Sequence, residues 1–564
     1  MNSPSGAPGR LLIIGLDGAT FDLIEPWARA GHLPNFARWM ARGSYGPLRS
    51  TMPPHSPQAW ATFSTGLLPG RHGILDFSPL RIDRPPAPYN AHSVGGVPFW
   101  KRLGDQGSRI VVVNALFTYP PEPVNGLLIS GKLTPAATTF THPPELGREI
   151  EDRFGEYIPE LSPRHLPPAS RVTPPIYLER LQAMLARRAD VADYVLGRHD
   201  WDTAVIVFTA LDTIQHFFWH YFDDAHPLHD PDSPSELREA VMQSYRLADQ
   251  AVGRLAAHLG ERDHLLIVSD HGFGPLDQAV NLTRWLVDQG LLAPKAPPRQ
   301  QGLAAFVAQL KMKAALVTPR ILWRAARRLA GTPLQRISPL PYQRMAVDWS
   351  RTSAYALGRT GSIFINLRGR EPLGIVEPGE EYETLRQAIR TALKAWRNPA
   401  IGRPVVAEAH FPEELYGQAS GDGIPDLIIQ WQDYAYPCPA PGDPDKSILY
   451  RIPSVYPKMW LTGYHRLDGI LLASGPAFRP GTAVDGAHIA DIAPTALYLR
   501  RAGIPDHLDG RVLLDLFAPD YLETHPPRYV SGEEAAPPDE QAEATYSADE
   551  ATEIEERLRG LGYF

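Results

Sequence analysis

A chain of 564 residues is long enough to bury a large core, either as one α/β domain with insertions or as two to three domains. The formal net charge of −8 excludes a general electrostatic attraction to nucleic acid or anionic membranes, so we expect neither as a partner. The single cysteine, Cys438, excludes an intrachain disulfide and a cysteine-based zinc finger.

The first ten residues, MNSPSGAPGR, lack the charged start and apolar run of a signal peptide. No apolar stretch approaches the roughly 20 residues that a membrane span needs. We therefore expect a soluble, cytoplasmic protein. The sequence leaves its oligomeric state open.

Strand-like and helix-like segments alternate along the first half of the chain. This alternation predicts βαβ units, and hence an α/β fold with a mostly parallel central sheet flanked by helices. Residues 133–175, rich in Pro, Thr and Ser, are predicted to form a long surface excursion. The predicted elements are a buried strand and its loop at 10–18, a helix at Phe36–Arg42, strands at Arg109–Ala115 and Leu127–Ser130, and a helix at 177–197.

The second half of the chain begins with a region that breaks this alternation. Residues 276–345 contain the basic amphipathic segment Leu303–Ala330, divided by Pro319, and its periodicity favours a helical insertion over an anion-binding surface. The end, from about 521, is acidic and closes on a short helix, with its charges at 533–558 expected in solvent. Further elements are predicted at Ile363–Leu367, Asp426–Gln430 and Ile470–Ser474 (strands) and at Asp491–Ala502 (helix).

These features divide the chain into four parts. Residues 1–275 and 346–520 are predicted to form the two parts of the core, residues 276–345 an inserted and mainly helical cap, and residues 521–564 an acidic C-terminal tail.

Three apolar strands each run into an aspartate with potential ligands nearby. The carboxyl ends of strands in an open α/β sheet form the edge where ligands bind. Mixed carboxylate and imidazole ligands suit Zn²⁺, with Mn²⁺ or Mg²⁺ as alternatives. We therefore predict a two-metal site for hydrolysis at phosphorus or sulfur, built from Asp17, Asp212, His216, Asp270 and His271.

Ser56 is the candidate nucleophile. It precedes Pro57, and a Ser-Pro pair is typical of a helix N-cap and first turn. The simpler interpretation is therefore that Ser56 only caps the helix. A helix N-terminus also binds anions, so a hydroxyl placed there could attack a bound phosphate. Thr51, His55, Thr62 and Ser64 are weaker candidates.

The ordered motifs resemble those of the alkaline phosphatase superfamily, and especially the soluble prokaryotic branch of the type I phosphodiesterase/nucleotide pyrophosphatase family. They are LDG at 16–18, SPQAWATFSTGLLPGRHGILDF at 56–77, DTIQH at 212–216, SDHG at 269–272, TGYHRLDGILLASGP at 462–476 and DIAPTALYLRRAGIPDHLDGRVL at 491–513.

The resemblance implies a role for each matching residue. Asp17, Ser56, Asp270 and His271 would surround one metal, and Asp212, His216 and His465 the other. Ser56 would be the nucleophile, and the fold an alkaline phosphatase-like sheet with inserted cap segments. His465 follows only from this resemblance. His488 and His220 compete with it as ligands, and His72 is predicted to be a turn residue.

The chain departs from this pattern at two places. Pyrophosphatase members usually carry a phosphate-binding Asn where this chain has Phe77, and Asn-His where it has Ala59-Trp60. Candidate replacement donors for the phosphate are Asn114, Lys132 and Arg71.

We therefore predict a hydrolase that cleaves small phosphate esters through a covalent intermediate on Ser56 and two divalent ions, with phosphodiesters as the favoured substrate class. Phosphomonoesterase, phosphonate hydrolase and phosphoglycerate mutase-like activities remain alternatives. A sulfatase is disfavoured, because Ser56-Pro57-Gln58 lacks that family's spacing and Arg. The alternative outside enzymes is a metal-stabilised binding protein without catalysis.

Overall fold

The computed structural model describes residues 8–83, 87–136, 138–162, 165–167, 171–295, 347–417, 423–439, 441–452, 459–532 and 545–560. Most of the predicted insertion 276–345, including Leu303–Ala330, lies outside these residues, so its helical character stays a prediction. No helix within the described ranges is long and apolar enough to cross a membrane.

Nineteen strands are found in the described residues. In chain order they are β1 (Leu11–Leu16), β2 (Ser44–Arg49), β3 (Ile110–Val113), β4 (Gly126–Ile129), β5 (Thr141–His142), β6 (Thr203–Phe208), β7 (His264–Val268), β8 (Gly272–Pro275), β9 (Ala279–Val280), β10 (Ala354–Leu357), β11 (Ser362–Ile365), β12 (Val406–His410), β13 (Leu427–Trp431), β14 (Leu449–Tyr450), β15 (Gly463–Arg466), β16 (Asp468–Ser474), β17 (Ala487–His488), β18 (Ile504–Pro505) and β19 (Tyr529–Val530).

The α-helices of the same residues alternate with these strands. They are α1 (Phe21–Arg29), α2 (Pro34–Arg42), α3 (Ser56–Thr65), α4 (Pro69–His72), α5 (Phe99–Asp105), α6 (Pro144–Phe154), α7 (Pro174–Arg198), α8 (Ala210–Phe222), α9 (Ser235–Arg238), α10 (Ala240–Ala256), α11 (Leu282–Asp288), α12 (Glu380–Ala395), α13 (Pro412–Tyr416), α14 (Ile492–Leu499), α15 (Pro519–Thr524) and α16 (Ala548–Gly560).

A large, mostly parallel sheet forms the centre of the molecule, which confirms the predicted fold class. Its strand order is β17-β2-β16-β7-β1-β6-β3-β4-β5. The run β7-β1-β6-β3-β4 is parallel throughout, whereas β16 pairs antiparallel with both β2 and β7. The carboxyl ends of β7, β1, β6, β3 and β4 therefore meet at one edge of the sheet.

Both faces of this sheet are buried, which explains why its strands are continuous apolar runs. Along β1, Leu12, Ile14 and Leu16 face a core shared with α1, α2, α7, α8 and α10. Leu11 and Ile13 face the opposite core, shared with α3, α5 and α14. Helices thus cover both faces of the sheet, so a ligand could reach the ends of its strands only along the edge of the sheet.

A second, smaller sheet has the order β10-β11-β13-β12, and all of its pairs are antiparallel. The predicted strands Ile363–Leu367 and Asp426–Gln430 correspond to β11 and β13, so they belong to this sheet and not to the central one. Its apolar face packs with Ile389 and Leu393 of α12 and with Met52 of the first half of the chain. The predicted domain boundaries themselves remain predictions.

Two expectations for the irregular segments were wrong in part. Residues 133–175 are not only a surface excursion, since β5 is an edge strand of the central sheet and α6 buries Leu146 and Ile150. At the other end of the chain the predicted helix is present as α16. Its charges are not all in solvent, because Arg557 is 2 % exposed beside the buried Ile554 and Leu558.

Candidate active site

Most of the predicted ligands follow the parallel strands of the central sheet. Asp17 comes directly after β1, Asp212 and His216 lie on α8 just after β6, and Asp270 and His271 follow β7. These three strands are adjacent and parallel, so their ends place the five side chains at one edge, as the sequence predicts.

His465 reaches the same edge by another route. It lies on β15, which pairs antiparallel with β8 and sets His465 opposite Phe273, two residues after His271. This long-range pairing brings the sixth predicted ligand to the strand ends. Ser56 and all six ligand candidates are at most 2 % exposed.

Asp212, His216 and His465 form the first potential ligand cluster. Oδ1 of Asp212 lies 3.3 Å from Nε2 of His216 and 3.2 Å from Nε2 of His465. The two Nε2 atoms are 3.1 Å apart. Asp212 and His216 share one face of α8 because they are four residues apart.

Asp17, Asp270 and His271 form the second cluster. Nε2 of His271 lies 3.6 Å from Oδ1 of Asp17 and 3.3 Å from Oδ2 of Asp270. The turn after β1 supports this arrangement, since Gly18, at a φ of 74°, directs its amide to Oδ1 of Asp270 at 3.2 Å. Nε2 of His271 also lies 4.0 Å from Oδ1 of Asp212, so the two clusters adjoin.

The three histidines are oriented alike by backbone carbonyl groups. A carbonyl oxygen can only accept a hydrogen bond, so each Nδ1 donates, and Nε2 is the ring nitrogen that faces the clusters. The Nδ1 partners are Gly463 for His216 (2.8 Å), Gly272 for His271 (3.1 Å) and Pro54 for His465 (3.0 Å).

This orientation directs Nε2 of His216 and Nε2 of His465 towards each other, 3.1 Å apart, and both atoms also face Oδ1 of Asp212. Three potential ligand atoms that converge in this way can bind one cation together. The donor set therefore fits a metal ion.

The buried carboxyl groups lead to the same conclusion. Burial, together with the charges of Asp270 and Asp212, raises the pKa of Asp17 well above its usual range, and burial likewise raises the pKa of Asp270. For Asp212, burial is outweighed by His216 and His465, so its pKa lies well below the usual range. Oδ1 of Asp17 and Oδ2 of Asp270 accept no hydrogen bond from the described residues. Oxygens buried in this way are suited to coordinating cations.

Ser56 does not cap α3 with its side chain. The helix begins at Ser56, and His55 is the N-cap residue, whose side chain makes no capping hydrogen bond. The Ser56 hydroxyl lies instead 3.1 Å from Nε2 of His271. The capping role considered from the sequence is therefore wrong, and the hydroxyl lies against the second cluster.

The weaker nucleophile candidates are engaged elsewhere. Oγ1 of Thr51 donates to Pro53, and Oγ of Ser64 donates to Ala61. Thr62 is hydrogen-bonded to His72 at 2.9 Å, and Nε2 of His55 lies 3.2 Å from Oδ1 of Asp76. None of these contacts involves the two clusters.

The competing histidines also lie outside the clusters. Nδ1 of His220 contacts Oγ1 of Thr462 at 3.0 Å, and His488 accepts a hydrogen bond from Ala490. His72 is predicted to be a turn residue; it is the last residue of the single-turn helix α4, and its Nδ1 accepts the amide of Ile74.

The candidate replacement donors have different surroundings. Nδ2 of Asn114 donates to the carbonyl of Val207, and Arg71 pairs with Asp509 at 3.0 Å. Lys132 is the one of the three that acts on a cluster residue, since its charge lowers the pKa of Asp17 against the dominant effect of burial.

A narrow cleft opens beside His465, between the central core and the second sheet. Its lining includes Pro53, Trp431, Tyr434 and Tyr464. Trp431 ends β13 of the second sheet, so this smaller sheet contributes directly to the surroundings of the site. The sequence contained no local signal for this cleft, because its walls come from distant segments.

Comparison with known proteins gives a family match over most of the chain. The family model described as type I phosphodiesterase / nucleotide pyrophosphatase matches residues 11–447. No curated protein sequence matches the chain.

Solved structures match the chain at low sequence identity, and the first of those described here shares its fold. Phosphonoacetate hydrolase from Sinorhizobium meliloti 1021, in complex with phosphonoacetate, is 13% identical with a TM-score of 0.52, over 88% of this chain and 95% of that chain. Murine ectonucleotide pyrophosphatase / phosphodiesterase 5, inactive and in complex with AMP, is 13% identical with a TM-score of 0.48, over 90% of this chain and 100% of that chain. The human protein of the same name is 12% identical with a TM-score of 0.47, over 90% of this chain and 98% of that chain.

Proposed function

The chain belongs to the type I phosphodiesterase/nucleotide pyrophosphatase family, and on that basis we propose that it is a two-metal phosphodiesterase with Ser56 as its nucleophile. The observation that carries this proposal is the position of the Ser56 hydroxyl, 3.1 Å from His271 where the two ligand clusters adjoin. A hydroxyl at that point can reach a phosphorus atom held by both clusters.

Two divalent cations fit the donor set. One would be held by Asp17, Asp270, His271 and Ser56, and the other by Asp212, His216 and His465. Three imidazoles and three carboxylates favour Zn²⁺, with Mn²⁺ or Mg²⁺ as alternatives. Such cations would neutralise charge on the phosphate and lower the pKa of the attacking hydroxyl.

Ser56 and a water molecule would carry out the two displacement steps at phosphorus. Oγ of Ser56 loses its proton and forms a bond to phosphorus, the bond from phosphorus to the leaving oxygen breaks, and the leaving oxygen takes up a proton. A water then loses a proton and forms a bond to phosphorus, the bond between phosphorus and Oγ breaks, and Oγ takes up a proton, which restores Ser56. The first-turn amides of Ser56 and Gln58 have no partner within α3 and can bind the non-bridging oxygens.

The charge of the site supports a diester as the substrate. Two divalent cations against the carboxylates of Asp17, Asp212 and Asp270 leave one positive charge while Ser56 is still protonated, and one positive charge balances a bound phosphodiester monoanion. A monoester dianion would leave the buried site one unit negative, at a cost in desolvation.

The test compares hydrolysis of p-nitrophenyl phosphate with hydrolysis of p-nitrophenyl phenyl phosphate by the metal-reconstituted protein. We expect kcat/KM to favour the diester. A tenfold preference for the monoester, about 1.4 kcal/mol of differential transition-state binding, would overturn the diesterase assignment. If wild type turns over neither substrate faster than Ser56→Ala does, the chain is a metal-stabilised binding protein.

A further inference from the structure

Lys132 is a buried cation that the proposed reaction has not yet used. It follows β4, on the same edge of the sheet as the ligand-bearing strand ends, and its side chain is 1 % exposed. Burying an ammonium group is costly unless opposite charges lie close to it. The residues around Lys132 therefore indicate which negative charges stabilise its ammonium group.

Two carboxyl groups lie in its electrostatic range. Nζ of Lys132 is 4.0 Å from Oε2 of Glu160, whose side chain is fully buried, and the same ammonium lowers the pKa of Asp17. At 4.0 Å the contact with Glu160 is an ion pair but not a hydrogen bond. Glu160 thus balances the charge of Lys132, and the same charge also acts on Asp17 of the second ligand cluster.

The ring of Phe77 lies between Lys132 and His55, the residue that precedes the nucleophile. Nζ lies 5.7 Å from the centroid of the Phe77 ring, and that ring is 5.7 Å from the ring of His55, edge to face. His55 is the residue immediately before Ser56. The ammonium therefore packs beside Phe77, whose ring also contacts the residue that precedes the nucleophile.

We propose that Lys132 is a substrate-binding residue whose ammonium group donates a hydrogen bond to a non-bridging oxygen of the phosphate. This inference deepens the proposed function and rests on it for the location of the phosphate. Because Glu160 balances the charge of Lys132, the pair leaves the net charge of the site suited to a monoanion. Lys132 then directs one phosphate oxygen without adding a charge that would favour a dianion.

The loop that carries Lys132 is held from the far end of the chain. Nη1 of Arg557, on α16, donates to the carbonyl oxygens of Lys132 and Thr134 at 2.9 and 2.8 Å. The hydroxyl of Tyr546 donates to the carbonyl of Leu133 at 3.1 Å, and the amide of Ala136 donates to Glu553. A substrate-binding side chain needs such a fixed backbone, because small displacements weaken its contact.

The test measures binding of inorganic phosphate to the zinc-loaded, full-length protein by titration calorimetry. Lys132→Met keeps the shape of the side chain and removes its charge. We expect its dissociation constant for phosphate to rise roughly 10–100-fold, as for loss of a hydrogen bond to a charged group, with the zinc content unchanged. Lys132→Arg should recover part of that loss.

Glu160→Gln is the matched variant, because it removes the other half of the ion pair. If Lys132 binds phosphate, Glu160→Gln binds phosphate at least as tightly as wild type and hydrolyses p-nitrophenyl phosphate better relative to the diester. If the pair only stabilises the fold, both variants lower Tm and neither changes phosphate affinity. That result, or wild-type affinity in Lys132→Met, would overturn the proposal.

Two further readouts keep the outcomes distinct. If Lys132→Met does not fold, the double variant Lys132→Met/Glu160→Gln removes both charges together, and the same loss of phosphate affinity is expected of it. Phosphate binding requires no turnover. A Ser56→Ala protein that still hydrolyses diesters would therefore contradict the nucleophile while leaving the result for Lys132 intact.

Discussion

Replacing Ser56 by alanine separates the chemical role of its hydroxyl from any structural one. The hydroxyl makes no helix-capping contact, and its hydrogen bond is with Nε2 of His271 at 3.1 Å. One such bond contributes about 0.5–1.5 kcal/mol to stability. We therefore expect the free energy of unfolding to fall by no more than that amount, with Tm lowered by at most a few degrees.

The effect on hydrolysis should be much larger. Without Oγ, no bond to phosphorus can form on the protein, and only binding and orientation of the substrate remain. We expect kcat/KM for p-nitrophenyl phenyl phosphate to fall at least 10³-fold, about 4 kcal/mol of transition-state stabilisation. The metal content should stay that of wild type, because six of the seven proposed ligands are intact.

Ser64→Ala is the control for this experiment. Ser64 lies on the same helix, is also buried, and donates to the carbonyl of Ala61 at 2.9 Å, away from both clusters. It should lose comparable stability and keep its activity. If Ser56→Ala retains more than about a tenth of wild-type kcat/KM with its metals bound, the nucleophile assignment is wrong.

Three further outcomes are expected. Elemental analysis should find two divalent ions per chain. EDTA should lower Tm and abolish hydrolysis until metal is restored. Full activity after complete metal removal would contradict the two-metal site. Burial lowers the pKa of His72 from 6.5 to about 3, so its contribution to stability is complete above pH 6.5 and is lost as the pH falls towards 3. In urea unfolding across this pH range, the free energy of unfolding should therefore decline less for His72→Gln than for wild type. Arg557→Met should raise KM more than it lowers kcat, because it releases the carbonyl groups of the Lys132 loop, while Arg559→Met, at an exposed position of the same helix, should match wild type.

The strand ends were predictable because both faces of the central sheet are buried. A strand such as β1 is then an unbroken apolar run, and Asp17 at its end stands out in the sequence. The same reasoning located Asp212 and Asp270. His465 could not be found in this way, because it reaches the site through the pairing of β15 with β8, which no local pattern encodes. Only the family resemblance identified it.

Other features depended on contacts between distant segments. The strands at Ile363–Leu367 and Asp426–Gln430 were predicted, but their membership of a second sheet is set by pairing partners and not by their own periodicity. Arg557 was expected in solvent because its neighbours are charged. Its guanidinium group is buried against the carbonyl of Lys132, 425 positions earlier, and the local pattern of residues does not indicate so distant a partner.

The contact between α16 and the Lys132 loop also sets an order of events during synthesis. A ribosome adds roughly 5–20 residues per second, so about 20–85 s separate the appearance of Lys132 from that of Arg557, 425 residues later. A nascent chain that has passed His465 already contains every proposed ligand. Its Lys132 loop lacks the contacts with Glu553 and Arg557 until those residues have left the ribosome, so all the proposed ligands are synthesised before the loop can reach its final support.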